Sequence, residues 1–274
     1  MTSVSDLPSV IIPLAGLRIL VTRQDTPESS LSAMLKTQGA AVITVPMTMI
    51  IPPASWKLFD KTVEQAAKFE WAVFTSSNGV RHCLSRLTEL GHSPKKIFST
   101  LKIACVGKAT AATLTENGIV PELVPEHYQS EGLLSAFQQY DLKRKKCWLI
   151  QAESPREILA NALLKQHAEI VSTPVYRNVP VESDFTFLLK KLEQHQLDWI
   201  LFASPSAVQN FQQILAAGFW QSLTTAPKIA CLGEITAAAV KSFGWEVHAK
   251  PEIQDFEHLV QKICEINLKK TEKR

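Results

Sequence analysis

Four short stretches hold most of the chemical potential of this sequence: Thr75-Ser76-Ser77-Asn78, Gly107 to Thr110, Ser204-Pro205-Ser206 and Gly233 to Thr236. Each follows a brief apolar run and precedes an amphipathic stretch, the order of a strand, a turn and a helix start. At such a turn free backbone N–H groups and the positive end of the helix dipole point outward, so the loop can receive a carboxylate or phosphate. Taken singly, each loop is accounted for by serine and threonine capping a helix. Four of them in one chain point to a shared, acid-rich ligand. In open α/β sheets such loops lie at the carboxyl ends of the strands, where ligands bind.

Competing chemistries lack their minimal residues. The chain has no H-E-x-x-H, EF-hand loop, G-x-S-x-G elbow or G-x-G-x-x-G after a strand, which sets aside metal hydrolase, serine hydrolase and dinucleotide readings. Gly107-Lys108-Ala109-Thr110 is not a phosphate-binding P-loop, because Lys102 stands where that motif needs its first glycine. The seven histidines show no ligand spacing and read as surface or core residues. Cys83, Cys105, Cys147, Cys231 and Cys264 are odd in number and form no C-x-x-C pair, which argues against zinc or a disulfide framework and for a reducing, cytoplasmic compartment.

Bulk properties narrow the field further. Apolar residues at 46% and charged residues at 20% fit a globular chain that buries a core, and 274 residues suggest two domains. A net charge of +3, with Lys143 to Lys146 as the densest basic run, is too weak for nucleic acid. That run reads as a solvated turn before a strand. Val10 to Ala15 is too short to span a membrane, no signal peptide is evident, and the first fifteen or so residues read as a loose extension.

The elements that must position the loops are written twice. IACVGKATAA from Ile103 returns as IACLGEITAA from Ile229, an offset of 126, and FTSSNGV from Phe74 returns as FASPSAV from Phe202, an offset of 128. The stretch from Leu20 to Met47 corresponds more loosely to Leu149 through Val175. Each block reads as strand, turn and amphipathic helix, so the fold class is α/β with mostly parallel sheets. Helix starts are marked by Ser204-Pro205, by Thr26-Pro27 and by a capping box at Ser154-Pro155-Arg156-Glu157; Gly39, Gly118, Gly218 and Gly244 mark helix ends.

The block order is circularly shifted, because the first strand-helix-strand unit matches the last unit of the middle region. One domain is therefore expected from residues 1–47 plus 178–274 and the other, inserted, from 50–175, with proline-bearing crossings near Pro46 to Pro53 and Pro174 to Pro180. Two sequential halves split near residue 140 are the simpler alternative.

The series VFTSSNGV at Val73, IACVGKATAATL at Ile103, PREIL at Pro155, VYR at Val175, FASPSAV at Phe202 and IACLGEITAAAV at Ile229 resembles that of uroporphyrinogen-III synthases, from Leu17 to about Ile263. The resemblance implies two flavodoxin-like, three-layer domains joined by a two-segment crossover, with a cleft between them. It implies a cofactor- and metal-free lyase that cyclises hydroxymethylbilane with inversion of ring D and loss of water; a monomer is the default expectation. Hydroxymethylbilane synthase is then a partner that could hand the substrate over, with no nucleic acid or membrane involved. The tyrosine of the V-Y motif, Tyr176, becomes the candidate for assisting departure of the hydroxyl.

The substrate's carboxylates would meet Arg23, Thr75, Ser76, Ser77, Asn78, Gly107, Thr110, Arg156, Ser204, Ser206, Gly233 and Thr236. Two positions depart from the family's pattern: Gln151-Ala152-Glu153-Ser154 replaces an arginine followed by glycines and puts a carboxylate near the cleft, and Gln24 replaces a proline. The rival readings are a non-catalytic two-domain small-molecule sensor, separated by turnover, and a sugar-phosphate enzyme, separated by phosphate-dependent binding.

Overall fold

The structure, a computed structural model, describes residues 12–25, 31–125, 130–155 and 157–271. Most of the amino-terminal extension, the Thr26-Pro27 cap and Arg156 lie outside the described residues. Along the chain run β1 (Arg18–Val21), α1 (Leu31–Thr37), β2 (Ala41–Thr44), β3 (Thr48–Ile51), α2 (Lys57–Val63), β4 (Trp71–Phe74), α3 (Ser77–Glu89) and α4 (Pro94–Phe98). There follow β5 (Lys102–Cys105), α5 (Lys108–Glu116), α6 (Ser130–Phe137), β6 (Lys146–Ala152), α7 (Ile158–Lys165) and β7 (Glu169–Pro180). The last elements are α8 (Thr186–Glu193), β8 (Trp199–Phe202), α9 (Pro205–Gln213), α10 (Phe219–Ser222), β9 (Lys228–Cys231), α11 (Glu234–Ser242) and α12 (Phe256–Thr271).

Two compact units result, residues 1–49 with 179–274 and residues 50–178. The first holds a sheet of order β2-β1-β8-β9, all parallel, in which Ile19, Leu20 and Val21 face Trp199, Ile200 and Leu201. A division into sequential halves near residue 140 would part β1 from its hydrogen-bonded neighbour β8. The second sheet has the order β3-β7-β6-β4-β5, and β7, β6, β4 and β5 are mutually parallel.

Apolar runs such as WAVF and WILF are buried along their whole length, as strands covered on both faces must be. Alternate residues of one strand accordingly feed two cores. Phe74, Trp148 and Ile150 pack on one face of the second sheet, and Trp71, Val73 and Leu149 on the other. Leu20, Ile200 and Phe202 divide in the same way from Ile19, Trp199 and Leu201 in the first unit. Trp148 is central to its core: its ring lies 5.5 Å from Phe59 and 5.9 Å from Phe69 and Phe98, and its indole N–H donates to Thr173 Oγ1 at 2.7 Å.

The duplication extends to hydrogen bonds outside the named strands. Cys105 N–H donates to Leu123 O, and Cys231 N–H, 126 residues on, donates to Ala249 O, both at 2.9 Å. Each bond adds a short parallel bridge beside the last strand of its sheet.

Several local expectations need correction. The capping box at Ser154 does not form: α7 begins at Ile158, with Glu157 at its N-cap and no side-chain cap. Just before this turn the sheet pairing runs one residue past the end of β6, with Glu153 N–H donating to Tyr176 O at 2.8 Å. The Glu153 carboxylate is also engaged, accepting the Ala54 N–H at 3.1 Å. Gly218 opens α10 in the left-handed region (φ 78°) instead of closing α9, which ends at Gln213. The basic run is the turn it was read as, with Arg144 at φ 59° and Lys145 and Lys146 paired to Glu70 and Glu169.

Candidate active site

In the second unit β4 ends at Phe74, and Ser76 takes extended backbone angles and caps α3, its Oγ accepting the Gly79 N–H at 3.0 Å. Serine suits this place because its hydroxyl satisfies one of the free N–H groups of the first turn. The same Oγ lies 3.0 Å from the Tyr176 hydroxyl, 100 residues further along the chain.

Tyr176 arrives there by a bulge. The register of β6 against β7 slips between Gln151, opposite Pro174, and Ala152, opposite Tyr176, leaving Val175 as an extra residue. In a regular strand neighbouring side chains point to opposite faces; a bulge breaks that alternation and re-aims a side chain. Val175 and Tyr176 consequently share one core, the one that also holds Val80, Cys83 and Leu84 of α3.

Three positions on one face of α3 and its cap surround the phenol. Ser76 holds its hydroxyl and the His82 ring stacks on it, with centroids 5.9 Å apart and planes 23° apart. A methyl group on Gly79 would sit 3.8 Å from Tyr176 Cε1 and only 3.3 Å from Ser76 Oγ. Tyr176 is 8% exposed, and burial holds its proton more tightly than usual, an effect the Ser76 hydrogen bond opposes. The phenol is therefore neutral near pH 7, and its oxygen faces a helix N-terminus, where developing negative charge is favoured.

In the first unit the corresponding cap is Ser204, whose Oγ accepts the Ala207 N–H at 3.2 Å and lies 3.1 Å from Ser206 Oγ. Arg23 follows β1, the neighbour of β8, with its guanidinium 4.6 Å from the Phe256 ring centre; burial lowers its proton affinity and nearby Asp25 opposes that. Gly233 caps α11 under the Gln254 carboxamide, whose Oε1 would lie 2.6 Å from any added Cβ.

The structure thus sorts the expected site residues. Ser76 and Tyr176 touch; Thr75, Ser77 and Asn78 flank them, half-buried. Gly107 caps α5 on the neighbouring strand end. Thr110 and Thr236 are only 5% and 4% exposed, turned inward from the first turns of α5 and α11. His82, Gly79 and Gln254 went unsingled in the sequence. The 128-residue repeat could have flagged the first two, since it equates Ser76, Gly79 and His82 with Ser204, Ala207 and Asn210.

A groove of about 910 Å³ in the first unit, lined by Leu17, Asp198, Trp199 and Lys228, opens at the amino ends of β1, β8 and β9, away from these loops.

Removing the two caps should have unequal effects. Ser204→Ala should cost about 1 kcal/mol, and Ser76→Ala roughly 1–3 kcal/mol because a buried phenol also loses its partner. Urea unfolding of the two variants measures this; equal losses would show that the Ser76–Tyr176 bond contributes nothing to stability.

These features define a class: a two-unit parallel α/β protein with hydroxyl-bearing loops between its strand ends and helix starts and, in one unit, a buried phenol held at a helix start. The family model of uroporphyrinogen-III synthase HemD matches residues 29–261. A uroporphyrinogen-III synthase of Synechococcus elongatus is 31% identical over 230 residues, covering 82% of this chain and 86% of that one. Another, of Chlorobaculum parvum, is 25% identical over 248 residues, 90% of this chain and 98% of that one. A solved mutant uroporphyrinogen III synthase of Thermus thermophilus superposes with a TM-score of 0.65 at 19% identity, covering 93% of this chain and 99% of that one, a likeness of fold. The chain belongs to the uroporphyrinogen-III synthase family, the cyclising lyases of haem biosynthesis.

Proposed function

We propose that Tyr176 is the proton donor for the cyclisation of hydroxymethylbilane to uroporphyrinogen III by this chain. The observation that carries this reading is the 3.0 Å contact between the buried Tyr176 hydroxyl and the α3 cap Ser76. When Ser76 donates to the phenol oxygen and still accepts the Gly79 N–H, the phenol proton is free to point at the substrate. The C–O bond of the hydroxymethyl group then breaks with the phenol proton going to the departing oxygen as water. The azafulvene cation that remains closes through a spiro intermediate, and the proton lost from the closed ring returns to the phenolate. Meanwhile the phenolate is steadied by Ser76 and the α3 N-terminus.

The substrate's carboxylates are received, on this reading, by Arg23, Thr75, Ser77, Asn78, Ser204 and Ser206 together with the N–H groups behind Gly107 and Gly233. Product identity then depends on how these loops hold the chain, which is catalysis by orientation. We read each unit as flavodoxin-like. Counting the bridge at Ala249, the first sheet runs 2-1-3-4-5 in strand order, and the second follows the same path with β6 as its first strand, β3 being an addition at its edge. Ligands in that order bind where it reverses, beside Ser204 in one unit and Thr75 to Asn78 in the other. A cytoplasmic setting, supported by five free, buried cysteines, would allow hydroxymethylbilane synthase to hand its product over directly. Among the described residues no helix is long and apolar enough to cross a membrane.

Chelator-treated protein supplied with hydroxymethylbilane, generated in place by a deaminase, should yield mainly the type III isomer after oxidation and chromatography. Type I alone, formed at the rate of the blank, would refute the reading.

A further inference from the structure

We infer that His82 is a positioning residue for Tyr176, its ring setting the plane of the phenol so that the hydroxyl proton is aimed. The inference rests on the proposed role of Tyr176 and adds to it. Two independent observations carry it. The first is the stack itself, 5.9 Å between centroids at 23°, from a half-buried residue on the same helix face that supplies Ser76 and Gly79. Burial pushes the His82 imidazole toward its neutral form, so the contact is between two neutral rings.

The second observation is the duplicate position. The 128-residue offset carries His82 onto Asn210 and Tyr176 back onto Thr48. Asn210 Nδ2 lies 3.3 Å from Thr48 Oγ1 and 2.8 Å from Met47 O, donating to both. In both units, then, the residue six past the capping serine grips the residue two past a proline, Pro46 or Pro174. An amide holding a hydroxyl and a backbone carbonyl does this in one unit, and a ring lying on a ring does it in the other. Gly79 stands where the first unit has Ala207, and a Cβ there would crowd Ser76 Oγ at 3.3 Å while only touching the phenol at 3.8 Å. The repeated grip marks position 82 as the holder of whatever stands at 176.

A Tyr ring held at Cβ and at its hydroxyl can still turn about the axis between them, which re-aims the hydroxyl proton, and an aromatic neighbour at this separation restricts that turn. His82→Ala should therefore lower kcat by roughly 3- to 10-fold, the range a stacked aromatic pair accounts for, with KM within about twofold. His82→Phe, which keeps a flat ring, should restore kcat to within about twofold of the parent. In a Tyr176→Phe background His82→Ala should have no further effect on kcat, a result that general loosening of the fold would not produce. Should His82→Ala fail to fold, His82→Leu takes its place, filling the volume without a flat ring.

An unchanged kcat in His82→Ala, or an equal fall with and without the Tyr176 hydroxyl, would overturn the positioning role. Failure of the underlying reading looks different: Tyr176→Phe alone would then run at full speed.

Discussion

Tyr176→Phe should lower kcat by roughly 10- to 100-fold and leave the type III isomer dominant. General-acid help is worth about 10² to 10⁴ in rate, and the lower end applies here because an electron-rich pyrrole itself pushes the hydroxyl out. The substitution removes one oxygen and keeps the ring, so packing against His82 and Gly79 persists. Ser76 still caps α3 through its bond to Gly79 N–H, which limits the loss of stability. The carboxylate-receiving loops are untouched, so substrate orientation, and with it the isomer ratio, should hold. Rate and isomer ratio measured together decide the matter. Full speed would leave Tyr176 only a packing role, and a shift to type I would show that the phenol also shapes the bound substrate.

Trp148→Ala should cost about 3–5 kcal/mol, a large share of the roughly 5–15 kcal/mol that holds a folded protein together. The ring is fully buried among Phe59, Phe69 and Phe98, so its removal leaves a cavity that three rigid rings fill poorly. Thr173, also fully buried, loses the indole N–H that its hydroxyl accepts. Trp148→Phe should recover more than half of the loss while leaving Thr173 unpartnered. Urea unfolding of both variants is the check; a loss under about 1 kcal/mol for the alanine variant would mean that this core collapses around the gap.

Local chemistry was legible wherever it stays local. Ser76 and Ser204 cap α3 and α9, and Pro205 opens α9, because a cap needs only the next three residues. Gly118 and Gly244 close α5 and α11 with φ of 72° and 73°, a backbone state that other residues take at a cost. The signal at Ser154-Pro155-Arg156-Glu157 was as strong as any of these and failed. There α7 begins only at Ile158, with Glu157 at the N-cap in place of Ser154. Burial at Thr110 and Thr236 is a second property that the sequence does not display. Their type suits a donor loop, but the turn of a helix packed on a sheet faces them inward, and only the packed helix reveals that.

The alternation of strands and helices, the duplication and most helix starts are written in neighbouring residues or in repeated words. The sequence also singled out Tyr176 by resemblance, as a residue of the right chemistry. What surrounds that residue emerges only when the strands pair. The bulge at Val175, the return of β7 alongside β6 and the 3.0 Å approach to Ser76 join groups 100 residues apart. Such contacts are set by sheet register, a property of two strands together, and no spacing within one strand encodes it.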